Sequence, residues 1–140
     1  MTVPDDLETE NQPPLSVPLQ RFVVSLVFLV AGGVVGTVAA VEPGSGVEAA
    51  HVHLLVVGWV CVTIMGAMTQ FVPVWSGTSL HSRLLARLQL VLVGVGVVGL
   101  AALFSTGAYS SVVLPGSLVV AGFYVFIYNV GRSLPEIDPR

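Results

Sequence analysis

The sequence contains no lysine, and its basic residues are five arginines among 140 positions. Charged residues make up 9% of the chain, against about 25% in ordinary soluble proteins. A net charge of −3 provides no basic surface for nucleic acid. Hydrophobic residues account for 54% of the chain, and the mean hydropathy is +0.91. We therefore expect an integral membrane protein whose surroundings are the lipid bilayer.

Cysteine is scarce, and no secretory signal is evident. The one cysteine, Cys61, lies in an apolar segment, so the chain cannot form an intramolecular disulfide framework. The N-terminus is acidic and rich in proline, whereas a signal peptide begins with basic residues and then turns apolar. This composition buries too little apolar surface to offset the entropy of ordering. We expect residues 1–20 to form a disordered, acidic tail.

Long apolar segments are what the sequence has instead. A helix needs about 20 apolar residues to cross a bilayer, and only helices or closed barrels satisfy their backbone there. The four segments that qualify are roughly Phe22–Val41, Glu48–Trp75, Leu84–Phe104 and Ser111–Val130. The predicted fold is an all-α membrane protein, a four-helix transmembrane bundle over residues 21–132. Residues 133–140 form a short tail.

The arginines indicate the orientation of the bundle. With four spans, Arg21, Arg83, Arg87, Arg132 and Arg140 all fall on one side of the membrane. Arginine and lysine collect on the cytoplasmic side of membrane proteins. We therefore expect a multi-pass protein of the cell membrane with both termini cytoplasmic, and Arg21 as the interfacial anchor of the first span.

Two histidines, His51 and His53, lie near the start of the second span. Ionisable side chains are rare within membrane spans and mark sites there, and a neutral imidazole can bind iron, copper or zinc. On a helix their directions differ by roughly 200°, so both cannot bind one metal from the same face. The alternative is that both rings solvate at the headgroups and hold no ligand.

The second span, HVHLLVVGWVCVTIMGAMTQFVP, resembles the second membrane helix of subunit I in the haem-copper oxidase superfamily, including the nitric-oxide reductase branch. The matching positions are His51, Leu54, Leu55, Met65, Gly66, Ala67, Phe71, Val72 and Pro73. In that family the early histidine is an axial ligand of the low-spin haem near the outer face. The resemblance implies that His51 binds haem iron, with His53 as the other candidate. The second ring nitrogen of such a ligand needs an acceptor, for which Glu42, Glu48 or a backbone carbonyl are available.

The sequence also departs from that family. Subunit I has many more helices, and nothing here corresponds to its second axial histidine or to the histidines that hold copper and the high-spin haem. We therefore expect a small membrane protein that binds b-type haem and is not catalytic alone. It would serve respiratory electron transfer or form part of an oxidase-like complex, with the second ligand from another copy or another respiratory subunit. The alternative is a cofactor-free accessory or assembly subunit. A transporter or channel is less favoured because no charged residue lies at mid-membrane.

Overall fold

Long helices dominate the structure, a computed structural model that describes residues 13–44 and 46–134. In this part of the chain four helices are long and apolar enough to cross a membrane, which confirms the predicted all-α, four-helix bundle. They are α1 (Ser16–Val41), α2 (Val47–Ser76), α3 (Arg83–Ser105) and α4 (Val113–Gly131), and a short 3₁₀ turn, Tyr109–Ser111, precedes α4.

The start of α1 differs from the prediction. The helix begins at Ser16, so residues 16–20 are helical and not part of a disordered tail. Their apolar positions continue the pattern of the span, and Pro18 lies in the first turn, where proline is tolerated. Arg21 is therefore inside the helix and only 2% exposed, rather than an interfacial anchor. Residues 1–12 of the predicted N-terminal tail and 135–140 of the C-terminal tail lie outside the described residues.

Glycines set the packing of α1 against α2. A Cβ at Gly66 would meet Arg21, a Cβ at Gly58 would meet Phe28, and a Cβ at Gly36 would meet His51. The two helices are antiparallel, and one position along α2 corresponds to one position back along α1. Small residues allow this close approach, and the van der Waals packing that results is one of the forces that associate helices in lipid.

The second hairpin, α3 with α4, is also packed closely at glycines. A Cβ at Gly96 would stand 2.6 Å from Val119 Cγ2, and a Cβ at Gly122 would stand 2.5 Å from Val93 Cγ2. The two hairpins meet in a core formed by Phe28, Leu54, Val62, Val93 and Val97.

The bundle has two chemically distinct ends. At the arginine end α1 and α3 begin and α2 and α4 end, so Arg21, Arg83, Arg87 and Arg132 lie there, while Arg140 is outside the described residues. At the opposite, histidine end α2 begins, and His51 and His53 lie in its first two turns.

The middle of α2 is not a regular α-helix. Residues Leu54–Cys61 are wound as a π-helix, directly after the two histidines. Where this segment ends, the Trp59 carbonyl accepts hydrogen bonds from the Val62 N–H and from the Thr63 hydroxyl, the latter at 2.7 Å. π-helical segments are rare and occur often at functional sites. Here the segment joins the histidines to the half of α2 that packs at the arginine end.

Candidate functional site

His51 lies between α2 and α1. Its Nδ1 is 2.8 Å from the Gly32 carbonyl oxygen. An added Cβ at Gly36 would stand 2.6 Å from both Nδ1 and Cε1 of the ring, so only glycine at position 36 lets the imidazole lie this close to α1. The half-buried ring is held in one orientation by a hydrogen bond and by the α1 backbone beneath it.

The partner of Nδ1 also fixes the position of the ring proton. A carbonyl oxygen can only accept, so Nδ1–H donates and carries the proton of the neutral ring. Nε2 then holds a lone pair that no carbonyl contact occupies, and this is the nitrogen available to a metal. Of the candidate acceptors considered from the sequence, Glu42, Glu48 and a backbone carbonyl, the structure places a backbone carbonyl beside Nδ1. Glu48 points elsewhere, because its Oε1 accepts the Gly44 N–H at 3.0 Å.

His53 faces a different helix. Its Nδ1–H donates to the Ala49 carbonyl oxygen at 2.8 Å, and its ring lies 4.8 Å from that of Phe104 on α3. Phe104 in turn contacts Tyr109, with ring centroids 5.9 Å apart. The structure thus directs His51 towards α1 and His53 towards α3, as their helical spacing predicts, and does not bring the two rings to one site.

The remaining histidine is at the other end of the bundle. The ring of His81 lies edge-on to Tyr128 with centroids 5.8 Å apart, and its backbone N–H donates to Ser133 Oγ at 2.9 Å. Over residues 13–44 and 46–134, no three His, Cys, Asp or Glu side chains come together as a metal site would require. A haem iron is less demanding, since the porphyrin supplies the equatorial ligands and the protein supplies axial ones such as histidine.

The donor chemistry of His51 fits such an iron. Histidine ligands of metals almost always donate their second ring N–H to a carboxylate, a carbonyl or water, which fixes the tautomer and makes the binding nitrogen more basic. The hydrogen bond to the Gly32 carbonyl has this form. The chain has three histidines in all, and neither of the others lies beside His51, so the described helices offer one axial imidazole at this place.

A second polar cluster, at the arginine end, was not predicted from the sequence. The Arg21 guanidinium donates to the carbonyls of Val17 and Ala86 and, at 3.2 Å, to Gln89 Oε1. Gln89 Nε2 lies 2.9 Å from the Met65 sulfur. The cluster joins α1, α2 and α3, and Gln89, a polar residue within the first two turns of the third apolar span, was the sequence signal for it.

The acceptors of Arg21 within this cluster are all uncharged, and its Nε–H is buried without a hydrogen-bond partner. The cluster therefore satisfies most of the guanidinium donors but does not neutralise the charge. It can hold helices together, and the positive charge of the guanidinium at its centre disfavours a metal cation there.

Comparisons of the chain with protein-family models, with curated proteins and with solved structures found no match. The class of the molecule accordingly rests on the fold. It is an all-helical protein with four helices long and apolar enough to span a membrane, as expected of a multi-pass membrane protein.

Proposed function

We propose that this chain is a small haem-binding membrane protein in which His51 is an axial ligand of a b-type haem. The observation that carries the proposal is the hydrogen bond from His51 Nδ1–H to the Gly32 carbonyl oxygen, 2.8 Å long. It holds the ring in the tautomer that leaves Nε2 free for iron. The resemblance of α2 to the low-spin haem helix of haem-copper oxidase subunit I supports the same residue.

The chain's own residues would orient the ligand rather than carry out a reaction. Gly32 accepts the ring proton, and Gly36 leaves the room in which the ring lies against α1. Haem, when bound, supplies one-electron transfer. The second axial ligand would come from another copy or another respiratory membrane subunit, and the chain would act in electron transfer within an oxidase-like complex without a catalytic centre of its own.

The distribution of the arginines supports a location of the His51 site near the outer face of the membrane. The arginine end would face the cytoplasm, because Arg and Lys are retained on that side. Both termini would then be cytoplasmic, and the histidine end would lie at the outer face of the cell membrane. His51 is the fifth residue of α2, so it lies about 6 Å along the helix from the start.

A cofactor-free accessory or assembly subunit is the second candidate. It is favoured by the observation that both rings are engaged by the chain itself, His51 with α1 and His53 with Phe104. In that case the histidines would be packing elements at the histidine end, and neither Nε2 would bind a metal.

An absorption spectrum of the protein, purified in detergent from cells supplied with haem and with its natural neighbours, separates the two candidates. The haem-binding proposal expects a Soret band that is lost or strongly shifted in His51→Ala and largely kept in His53→Ala and His81→Ala. Adding free imidazole to His51→Ala should restore part of the band, since the small ligand can enter the space that the side chain leaves.

Two results would contradict the proposal in different ways. Haem absent from the wild-type protein would leave the accessory-subunit candidate. A Soret band that persists in His51→Ala and disappears in His53→Ala would identify His53 as the ligand. Gel filtration of each variant checks that a lost band is not caused by misfolding.

A further inference from the structure

Nε2 of His51 can be reached from the surface of the bundle. Among the described residues, the buried side-chain nitrogen and oxygen atoms without a hydrogen-bond partner are Arg21 Nε and Gln70 Oε1. The His51 ring bonds the chain through Nδ1, and its Nε2 is not one of those buried atoms. The lone pair of Nε2 is therefore open to a group that approaches from outside the four helices.

The surface of α1 beside this ring carries small side chains. Gly36 lies beneath the ring, Thr37 follows it, and Ala40 is one turn further along the same face of the helix. Thr37 and Ala40 are both exposed. The Thr37 hydroxyl donates to the Val34 carbonyl oxygen at 2.7 Å, so it brings no unpaired donor to this surface. Small side chains allow membrane helices to approach closely, so another helix can come near Nε2 here.

The described helices offer no second axial ligand beside His51. Haem iron takes histidine, cysteine, methionine or tyrosine as axial ligands. The other described side chains of these types end or follow the π-helical segment of α2, lie at the arginine end, or contact Phe104 or Tyr109 at the α3 side. They are Cys61, Met65 and Met68; His81, Tyr124 and Tyr128; and His53 and Tyr109. The second ligand must come from outside this part of the chain.

A second copy of the chain meets the requirements of that ligand. Homo-oligomers most often have two-fold symmetry, and both copies would take the same orientation in the membrane because both carry the same arginines. A two-fold axis along the membrane normal then places the second His51 at the same depth, with the same nitrogen exposed. A different subunit would need a histidine of its own at that depth.

We propose that two copies of this chain share one haem, with His51 of each copy as an axial ligand. This shared site rests on the proposed binding of haem by His51 and names the partner that completes it. Thr37 and Ala40 of each copy lie at the contact between the copies, where their small size leaves room beside the ring. Two imidazole ligands make the iron six-coordinate and low-spin.

The first test is the stoichiometry of the full chain, purified in detergent and titrated with haem b. We expect the Soret band to stop growing at one haem for two chains. Light scattering of the loaded protein should give the mass of two chains, after subtraction of the detergent. Electron paramagnetic resonance of the oxidised sample should show a low-spin iron.

The second test is a pair of matched variants, Thr37→Phe and Ser117→Phe. Both positions are exposed hydroxyls that donate to a carbonyl of their own helix, Thr37 on α1 beside the ring and Ser117 on α4. Thr37→Phe should overpack the contact between copies, so we expect about tenfold weaker haem binding and a loaded protein that no longer has the mass of two chains. Ser117→Phe should behave as wild type does.

Three results would overturn the shared site and leave His51 as a haem ligand. They are saturation at one haem for each chain, saturation only when a different membrane subunit is present, and a Thr37→Phe variant that binds haem as a pair of chains just as wild type does. A wild-type protein that takes up no haem under any of these conditions would contradict the proposed function itself, and the shared site with it.

Discussion

The arginine end and the histidine end of the bundle both bury polar side chains, but they do so differently. At the arginine end a guanidinium and Gln89 join three helices through side-chain and backbone acceptors. At the histidine end, Nδ1–H of each ring donates to a backbone carbonyl, and Nε2 of each ring takes no part in that hydrogen bond. The buried polar groups at the arginine end therefore connect helices through a cation, whereas those at the histidine end are single rings that each bond one carbonyl.

A second contrast concerns how each end is closed. At the arginine end, Asn129 on α4 exchanges two hydrogen bonds with the backbone of Ser82, each 2.9 Å long. Ser133 accepts the His81 N–H, and the Thr78 hydroxyl donates to the Ser133 carbonyl. The α2–α3 loop is thus fastened to α4. At the histidine end the ring of His53 on α2 contacts that of Phe104 on α3, and Phe104 contacts Tyr109 in the turn before α4.

Arg21→Leu, at the arginine end, should lower the stability of the bundle more than any other substitution considered below. The substitution removes hydrogen bonds that join α1 to α3 and leaves Gln89 Oε1 without its donor. We expect the free energy of unfolding to fall by about 2–4 kcal/mol, since bonds to charged groups contribute about 1.5–3 kcal/mol each and bonds within membranes less. Unfolding in mixed detergent micelles measures the change.

Arg87→Leu is the control for that experiment, because Arg87 is exposed at the same end. Its effect should stay below about 0.5 kcal/mol, as is usual for surface positions. Equal losses in the two variants would mean that the Arg21 cluster does not hold the helices together.

Gly36→Val tests how closely His51 packs against α1 at the histidine end. The added side chain would overlap the His51 ring, and overpacking of this kind destabilises by about 1–3 kcal/mol. Gly33→Val, on the same helix, should be tolerated because a Cβ at Gly33 meets nothing within 4 Å. Thermal unfolding in detergent measures both variants, and a Soret band, where present, should shift only in Gly36→Val. A more stable Gly36→Val than Gly33→Val would show that the ring does not rest on α1.

Asn129→Ala tests the fastened loop. It leaves the Ser82 N–H without an acceptor, and we expect a loss of about 1–2 kcal/mol together with faster amide exchange at residues 79–82. Ser117→Ala is the comparison variant, since that exposed hydroxyl bonds only the Val113 carbonyl of its own helix. Unchanged exchange in Asn129→Ala would argue that other contacts hold the loop.

The smallest change in stability is expected from two cysteine variants. Labelling them shows which end of the bundle faces which side of the membrane. In a Cys61→Ala background, Ser79→Cys and Ser110→Cys place exposed thiols at the arginine and histidine ends, respectively, with less than about 0.5 kcal/mol of change in stability. An impermeant reagent added to intact cells should label Ser110→Cys and spare Ser79→Cys. The reverse pattern would invert the proposed orientation.

The hydrophobic segments of the sequence predicted most of the fold. The bounds of α2, α3 and α4 lie within a few residues of the predicted spans because apolar runs of this length have few other stable arrangements. The start of α1 was missed because Arg21 was taken as the boundary of the apolar segment. A side chain that finds acceptors on α1 and α3 can be buried, and such acceptors are not visible from sequence.

The sequence by itself determined the four helices, the collection of the described arginines at one end and the opposed directions of His51 and His53, because each follows from hydrophobicity or helical spacing along the chain. Only the tertiary structure decided that Nδ1 of His51 meets the Gly32 carbonyl, that residues 54–61 are π-helical, and that Arg21 is buried with Gln89. These depend on contacts between residues far apart in the chain and on the register of packed glycines, for which composition and periodicity carry no signal.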